Sequence, residues 1–519
     1  MAKMADAVRS EPKSEREAAR VGARRVRWLW LCGAGMLVPL GYSALRYPLR
    51  GWTTQLVDIG KLSHYEWPEF TWYTGGLVVM FALYLLALRE TRRLPVERAL
   101  PAVFGVAAVL GAAMAWMYPV NAIDIFIYAA RSRLFTHYGV NPNLVQPIVH
   151  WNDPYLHYAS QEWAVHVSPY GPLWNLIAYP TTWIGGSNIG IALAGFKVLA
   201  FVSYLACGGI IVWALRTLRP SDAATGALLF LWNPLVLWEG VGNGHNDIVL
   251  AVPLLLAGLA WIKRWDRVVI PLLVVAALIK YVTVLLIPIA AIAVWRRAPT
   301  WAARARLVAW TVGLSLFAAL VAFIPFSLSD SIRGVRTSIN DQGTIFLTSP
   351  AAMAIGLLQS RYAYNDIVHW AKTAGELIVA AVMLWQAARV WDHPRRVLRA
   401  MFEVLFVFLL VATWNFRPWY LIWPVAVAAL LPLGWVSWRI IAWTAGGLAM
   451  YSLFIWGWQW WDVHDGHQVS FYRVQNVGVP LILTATLLLT LAEIVVWVVH
   501  QSRARSDSGP AVLGETADG

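Results

Sequence analysis

The sequence predicts an all-α protein, a polytopic bundle of transmembrane helices, and three observations predict it. Of its 519 residues, 59% are hydrophobic and 13% charged, a balance foreign to a soluble chain of this length. Apolar stretches of about twenty residues, each able to cross a hydrocarbon core of about 30 Å as a helix, recur almost to the end. Examples are Leu31–Leu45, Tyr73–Leu88, Val103–Val120, Ala192–Leu215, Ile248–Ile262, Leu307–Phe326 and Val479–Val499. The 32 tryptophans gather at segment ends, as in Trp28 and Trp30, Trp456–Trp461 and Trp497, which suits an interfacial aromatic belt. No soluble domain is visible.

Charge sets the orientation, because Lys and Arg concentrate in cytoplasmic loops. With the N-terminal tail inside, 28 of the 41 Lys and Arg fall in inner segments and 11 in outer ones, leaving Lys197 and Lys280 within apolar segments. The net charge of +13 is therefore topology, and it points to a lipid bilayer and to no nucleic acid. Residues 1–27 read as a disordered cytoplasmic tail and 501–519 as a short polar tail, also inside. Cys32 and Cys207 lie in membrane segments, so no disulfide framework is expected.

The elements follow from counting crossings. Three segments before residue 120 carry the chain outside, and a first outer loop runs over about 121–191. Within it Pro172–Ile184 is apolar, but a full crossing would put the basic hairpin Arg216–Arg219 outside; it is read as a re-entrant helix, tolerable only against protein or a water-filled cavity. Val268–Trp295 is too short for two full spans and reads as a pair of short helices. The total is about 14 segments, with further outer loops at Ser327–Lys372 and Gln459–Asn476.

The chemistry-bearing residues fall at the outer turns. In the first loop, Ile123, Phe126, Ile127, Ala130 and Leu134 recur at helical spacing, and Gly139 and Pro142 end the helix. This outer-face amphipathic helix puts Asp124, Tyr128 and Arg131 on one face. Asp124 is either part of a near-capping box with Asn121 or a catalytic acid. The turn Glu239-Gly-Val-Gly-Asn-Gly-His245-Asn246-Asp247 holds more polar groups than a turn needs, and Glu239 sits late in a membrane segment, where an ionisable group must be paired or solvated. Lys280 either snorkels or meets an anion; for Lys197 snorkelling is favoured. Arg417, in Asn415-Phe-Arg417-Pro-Trp419-Tyr420, could fork two donors onto phosphate oxygens or belong to the aromatic belt. Ser168-Pro-Tyr170-Gly171-Pro172 shapes the start of the re-entrant helix. No P-loop, HExxH or CxxC is present, and no metal or cofactor is expected.

In that order, the Asp124-Ile-Phe-Ile-Tyr128 loop, Ser168-Pro-Tyr-Gly-Pro-Leu173, Asn233-Pro-Leu…Gly242-Asn-Gly-His-Asn-Asp247, Ala277-Leu-Ile-Lys280 and Arg417-Pro-Trp-Tyr420 resemble bacterial polyprenyl-phosphate-mannose-dependent mannosyltransferases of membrane glycosyltransferase superfamily C. The resemblance covers about residues 120–425. It implies a transmembrane glycosyltransferase domain over residues 28–500, and an inverting transfer of a hexose from a polyprenyl-phosphate donor to a glycan or glycolipid acceptor at the outer face. It implies Asp124 as the base, with Phe126 standing where better-known members carry a second acid. Arg131, Lys280 and Arg417 would hold the donor phosphate. Tyr128, Tyr170, Glu239, His245, Asn246, Asp247, Trp419 and Tyr420 would hold sugar or acceptor. The rival from another class is a transporter or flippase for lipid-linked sugars; the two related halves expected of one are not visible.

Overall fold

The computed structural model describes residues 13–51, 57–327, 329, 332–334, 336–337, 347–465 and 467–507. Helices make up almost all of it. Among these residues no strand forms, only the bridge pairs Pro48–Met117 and Leu347–Asn415. Among the described residues eight helices are long and apolar enough to cross a membrane: Gly22–Arg46, Trp67–Thr91, Val96–Trp116, Ile189–Leu218, Trp301–Phe323, Tyr364–Asp392, Trp435–Asp462 and Phe471–His500. The helix pair Pro220–Leu231 and Val236–Gly242, bent by 61°, makes a ninth if the pair is one span, or a re-entrant loop if it is not. The bend falls at Asn233-Pro234, where proline withholds an N–H from the helix and Asn233 Oδ1 accepts from Leu235 N at 2.9 Å. The remaining apolar segments of the sequence count are short helices, among them Asp247–Ile262 and Pro418–Ala429.

Three boundaries differ from the sequence reading. Residues 13–27 belong to the first helix, Lys13–Arg46, while residues 1–12 lie outside the described part. The loop expected at Gln459–Asn476 is largely helical, covered by Trp458–Asp465 and His467–Asp507. Of Ser327–Lys372, residues 350–358 and those from 364 onward are helical, and much of 328–346 lies outside the described part.

The segments that position the site are short. Asp266–Ala277 and Ile287–Arg297 have 12 and 11 residues, about 18 and 17 Å at the helical rise, so neither crosses a 30 Å core. Between them the chain is extended at Lys280 and then makes a tight turn over Tyr281–Leu286. Pro172–Gly185 has 14 residues, about 21 Å, the length of a re-entrant element. Its start is locked to the Lys280 strap. Gly171 N donates to Ile279 O and Leu173 N to Leu278 O, both at 3.0 Å. The helix Asp124–Thr136 forms where the periodicity places it, but residues 125–134 are buried on every side. Two of its other polar side chains are paired internally: Ser132 and Thr182 share a hydrogen bond of 2.7 Å, and Arg133 pairs with Asp153.

Gly171 is the point of closest approach. A Cβ there would sit 2.1 Å from Leu278 O, so two backbones meet where only hydrogen fits. Gly171→Ala is expected to destabilise the protein by about 1–3 kcal/mol, the cost of overpacking a tight core. Gly313→Ala, where a Cβ meets open space, should cost nothing. Thermal unfolding of both variants in one detergent makes the comparison.

Candidate active site

A cavity of about 630 Å³ opens among the helix starting at Asp124, the Lys280 strap and the turn at Arg417. It lies at the end of the bundle away from Gly22. The first spanning helix ends next to the exit of the third, since Pro48 bridges Met117, and Val120 O accepts from Ile59 N at 2.7 Å; four residues later comes Asp124.

Asp124 lines the cavity as the first helical residue, and Ile123 occupies the cap position with no side-chain cap bond. Asn121, expected to share a capping box with it, instead donates to Tyr73 Oη at 2.7 Å. The Asp124 carboxylate makes no hydrogen bond or ion pair to any described residue, so the capping role lacks its bond; the helix dipole and the charge of nearby Arg131 favour the carboxylate.

The three expected cations differ in how far they are committed. Arg417 lines the cavity with its guanidinium 5.8 Å from the Trp419 ring and no carboxylate partner. Lys280 donates to Asp247 Oδ1 at 2.9 Å, resolving its two readings in favour of the anion. The rings of Tyr420, Trp423 and Tyr170 surround its ammonium at 4.5, 5.1 and 5.7 Å. Arg131 also borders the cavity, yet Nη2 is spent on the carbonyls of Trp163 and His166 at 3.2 and 3.3 Å, which ties down the Gln161–Ala164 wall. Burial lowers its pKa, and those carbonyls hold its protons. Lys197, expected to snorkel, is buried. It donates to Met114 O, Val241 O and Gly242 O, because the helix ending at Gly242 leaves carbonyls there with no N–H to accept.

The expected sugar-binding residues divide into two layers. Tyr170, Trp419 and Tyr420 line the cavity. Tyr128, Glu239, His245, Asn246 and Asp247 are buried behind it at 0–2% exposure. His245 stacks on Trp419 with ring centroids 3.9 Å apart. From the cavity inward, Tyr170 Oη donates to Tyr128 Oη at 3.4 Å, Tyr128 Oη meets His245 Nδ1 at 3.4 Å, and His245 Nε2 lies 3.2 Å from Glu239 Oε2. Burial raises both tyrosine pKa values, so the phenols keep their protons. Gly244 has φ +72°, a left-handed geometry natural to glycine, and a Cβ there would stand 2.8 Å from Ile125. The turn thereby packs directly on the Asp124 helix.

The cavity residues that sequence reasoning did not propose as ligands include Asn121, Glu162, Asn415, Trp423 and Tyr451. Asn121 Oδ1 and Asn415 Oδ1 are buried acceptors with no partner, an arrangement that asks for a donor from outside the protein, such as a sugar hydroxyl. Their signal was present, since each sits three or two residues from a charge already singled out. Tyr451 carries none, lying in an ordinary apolar span.

Two outcomes are expected. Burial above all pushes His245 down to about 4, with Lys280 and Arg417 adding to it and Asp124 and Asp247 opposing. An unfolded chain takes up that proton near pH 6.5, so stability should fall as pH drops from about 6.5 to about 4. His245→Asn should flatten that part of a thermal-unfolding profile. Lys280→Met strands Asp247 in the interior and should cost about 3–5 kcal/mol. Adding Asp247→Asn should restore much of the loss, a coupling readable in a double-mutant cycle.

Comparison with known proteins fits this geometry. Residues 18–296, more than half the chain, match the family model described as alpha-(1→6)-mannopyranosyltransferase, N-terminal domain. Over 337 residues the chain is 28% identical to alpha-(1→6)-mannopyranosyltransferase A of Mycobacterium tuberculosis (strain H37Rv), covering 60% of this chain and 62% of that protein's length. The chain thus spans a little under two thirds of the curated relative it matches. Asp124, the polar turn before Asp247 and Lys280 fall inside the family match, whereas Arg417, Trp419 and Tyr420 lie beyond it. With more than half its length matched, including the helix that carries Asp124 and the strap that carries Lys280, this chain belongs to the alpha-(1→6)-mannopyranosyltransferase family.

Proposed function

We propose that the protein transfers a mannosyl residue from a polyprenyl-phosphate donor to a glycan or glycolipid acceptor at the outer face of the membrane, forming an α-(1→6) linkage. One observation carries this reading: Asp124 borders the cavity with no hydrogen bond or ion pair to the described residues, while the activity for which the family is named needs a base at a bound acceptor. Asp124 takes the proton from the acceptor hydroxyl, and the oxygen attacks the anomeric carbon as the bond to the polyprenyl phosphate breaks. A single displacement inverts that carbon, so an α product requires a β-linked donor. Arg417 meets the departing phosphate with two parallel donors. Lys280 adds a charge whose position Asp247 fixes. Trp419, Tyr420 and Tyr170 offer faces for the sugar, and Tyr128, Glu239, His245, Asn246 and Asp247 support those faces from behind. Arg131 holds the Trp163 wall in place.

The test is transfer from polyprenyl-phosphate mannose to short mannose acceptors by the full-length protein in nanodiscs. Asp124→Asn should lose about 10²–10⁴ in rate, the usual worth of general-base help, with the fold intact. Arg417→Lys should raise the KM for donor, and Arg417→Ala should lose about 10² or more in kcat, as removal of a charge-stabilising donor does. Full activity in Asp124→Asn returns that residue to a helix-dipole role. Passage of the intact lipid-linked sugar across a vesicle without transfer would make the protein a flippase instead.

A further inference from the structure

A second cavity, of about 570 Å³, lies at the other end of the two short helices from Lys280. Its wall carries four arginines, Arg264, Arg267, Arg297 and Arg306, against one acid, Asp266. That acid is already taken, since Arg297 Nη1 donates to Asp266 Oδ1 at 2.9 Å. Arg264, Arg267 and Arg306 are exposed and have no carboxylate partner; Arg264 and Arg395 also crowd Arg297 with like charge. The N-termini of Asp266–Ala277 and Trp301–Phe323 both start at this cavity, each adding a partial positive charge. The site therefore carries an excess of about three positive charges that no carboxylate among the described residues pairs with.

What lies beside the arginines decides the class of anion. The helix Trp301–Phe323 leaves the cavity with an apolar, outward face: Val312, Leu316, Phe317 and Leu320 are 49–66% exposed. Trp265, Trp301 and Trp310 stand exposed around the rim, where interfacial tryptophans belong. Arg267 lies 5.8 Å from the Trp310 ring. A soluble anion would use the arginines and gain nothing from the apolar face. A phospholipid uses both, its headgroup phosphate among the guanidiniums and its acyl chains along Trp301–Phe323. The end of Ile189–Leu218, with its basic Arg216–Arg219, lies at the same level, since Trp213 meets Trp265 edge-on at 5.7 Å. By the distribution of basic residues this is the inner leaflet, where basic pockets between helices collect anionic headgroups.

We infer that the cavity lined by Arg264, Arg267, Arg297 and Arg306 binds the headgroup of an anionic glycerophospholipid of the inner leaflet. The inference is independent of the sugar-transfer reading, because it concerns the opposite end of the molecule and is read by binding.

Full-length protein in a neutral detergent is titrated with phosphatidylglycerol and with phosphatidylcholine, and bound lipid is counted by native mass spectrometry. Phosphatidylglycerol should bind at least tenfold more tightly. Arg264→Gln and Arg306→Gln, both exposed and outside any ion pair, should each weaken it about fivefold, the worth of one basic residue at an anionic surface, and leave phosphatidylcholine unchanged. The double variant should lose about 25-fold while unfolding at the wild-type temperature. Lys61→Gln, an exposed lysine near the other end, should change nothing. Equal binding of the two lipids, or full phosphatidylglycerol binding in the double variant, overturns the inference. So does displacement of phosphatidylglycerol by millimolar inorganic phosphate, which would make the site one for a soluble anion.

Discussion

Much of the architecture around the first cavity depends on the ion pair between Lys280 and Asp247. Asp247 opens the helix Asp247–Ile262 and is fully buried, so its charge is tolerable only with a cation in contact. That cation can arrive only if the chain between Asp266 and Arg297 breaks at membrane depth, and it does: helix, extended Lys280, tight turn, helix. The break exposes the carbonyls of Leu278 and Ile279, which receive the N–H groups of Leu173 and Gly171. One pair thus sets the short helices, the start of the re-entrant element and the ring of Tyr170, Tyr420 and Trp423 around the ammonium. It also joins the part of the chain inside the family match to the part beyond it, through the rings at 420 and 423.

Set against this pair, the other charges of the region sort by how completely the protein satisfies them. Arg131 is given to carbonyls, Arg133 to Asp153, and Lys197 to the carbonyls ending a bent helix. Asp124 and Arg417 make no hydrogen bond or ion pair to the described residues, although both border the cavity. An unpaired charge at an apolar depth costs free energy, and on the proposed reading these two are met by the ligand; Glu162, exposed at the cavity wall, is likewise unpaired among the described residues. The buried acceptors Asn121 Oδ1 and Asn415 Oδ1 extend the same pattern to neutral groups.

The helical class, the short paired helices and several of the residues that the fold gathers at the cavity were legible because each violates a composition rule locally: a lysine in an apolar run, a carboxylate late in a span, a glycine between prolines. Two things were not legible. The first was depth. His245, Asn246 and Asp247 look like ligand groups in a one-dimensional pattern, but only packing reveals that Trp419, from 174 positions on, covers the histidine and leaves the cluster as a support. The second was partner choice. A helical arginine such as Arg131 reads as free until the carbonyls of residues 163 and 166 fold against it. The amphipathic reading of Asp124–Thr136 was limited in the same way. Its apolar spacing predicted a helix correctly, and gave no hint that Thr182 and Asp153 would take Ser132 and Arg133.

The wall of the first cavity also bears on which of two functions fits. Asp124, Asn121, Arg417 and Asn415 supply polar groups, while Val282, Val284, Leu285, Phe408 and Ala412 supply an apolar stretch, and Val284 is half exposed at the outer surface of the bundle. A lipid-linked sugar has the same division, with phosphate at the boundary between its halves. On the proposed reaction the phosphate rests between Lys280 and Arg417, and the prenyl chain leaves over the strap. A carrier would need the polar half of that path to continue to the far side. Here it ends in a floor of Trp419 stacked on His245, with Glu239, Asn243 and Asp247 sealed beneath at no measurable exposure. Opening that floor means stripping an aromatic stack and breaking the Lys280–Asp247 pair that shapes the cavity itself. On the proposed reading, a closed floor and an unbonded carboxylate facing the same space suit reaction in place better than passage.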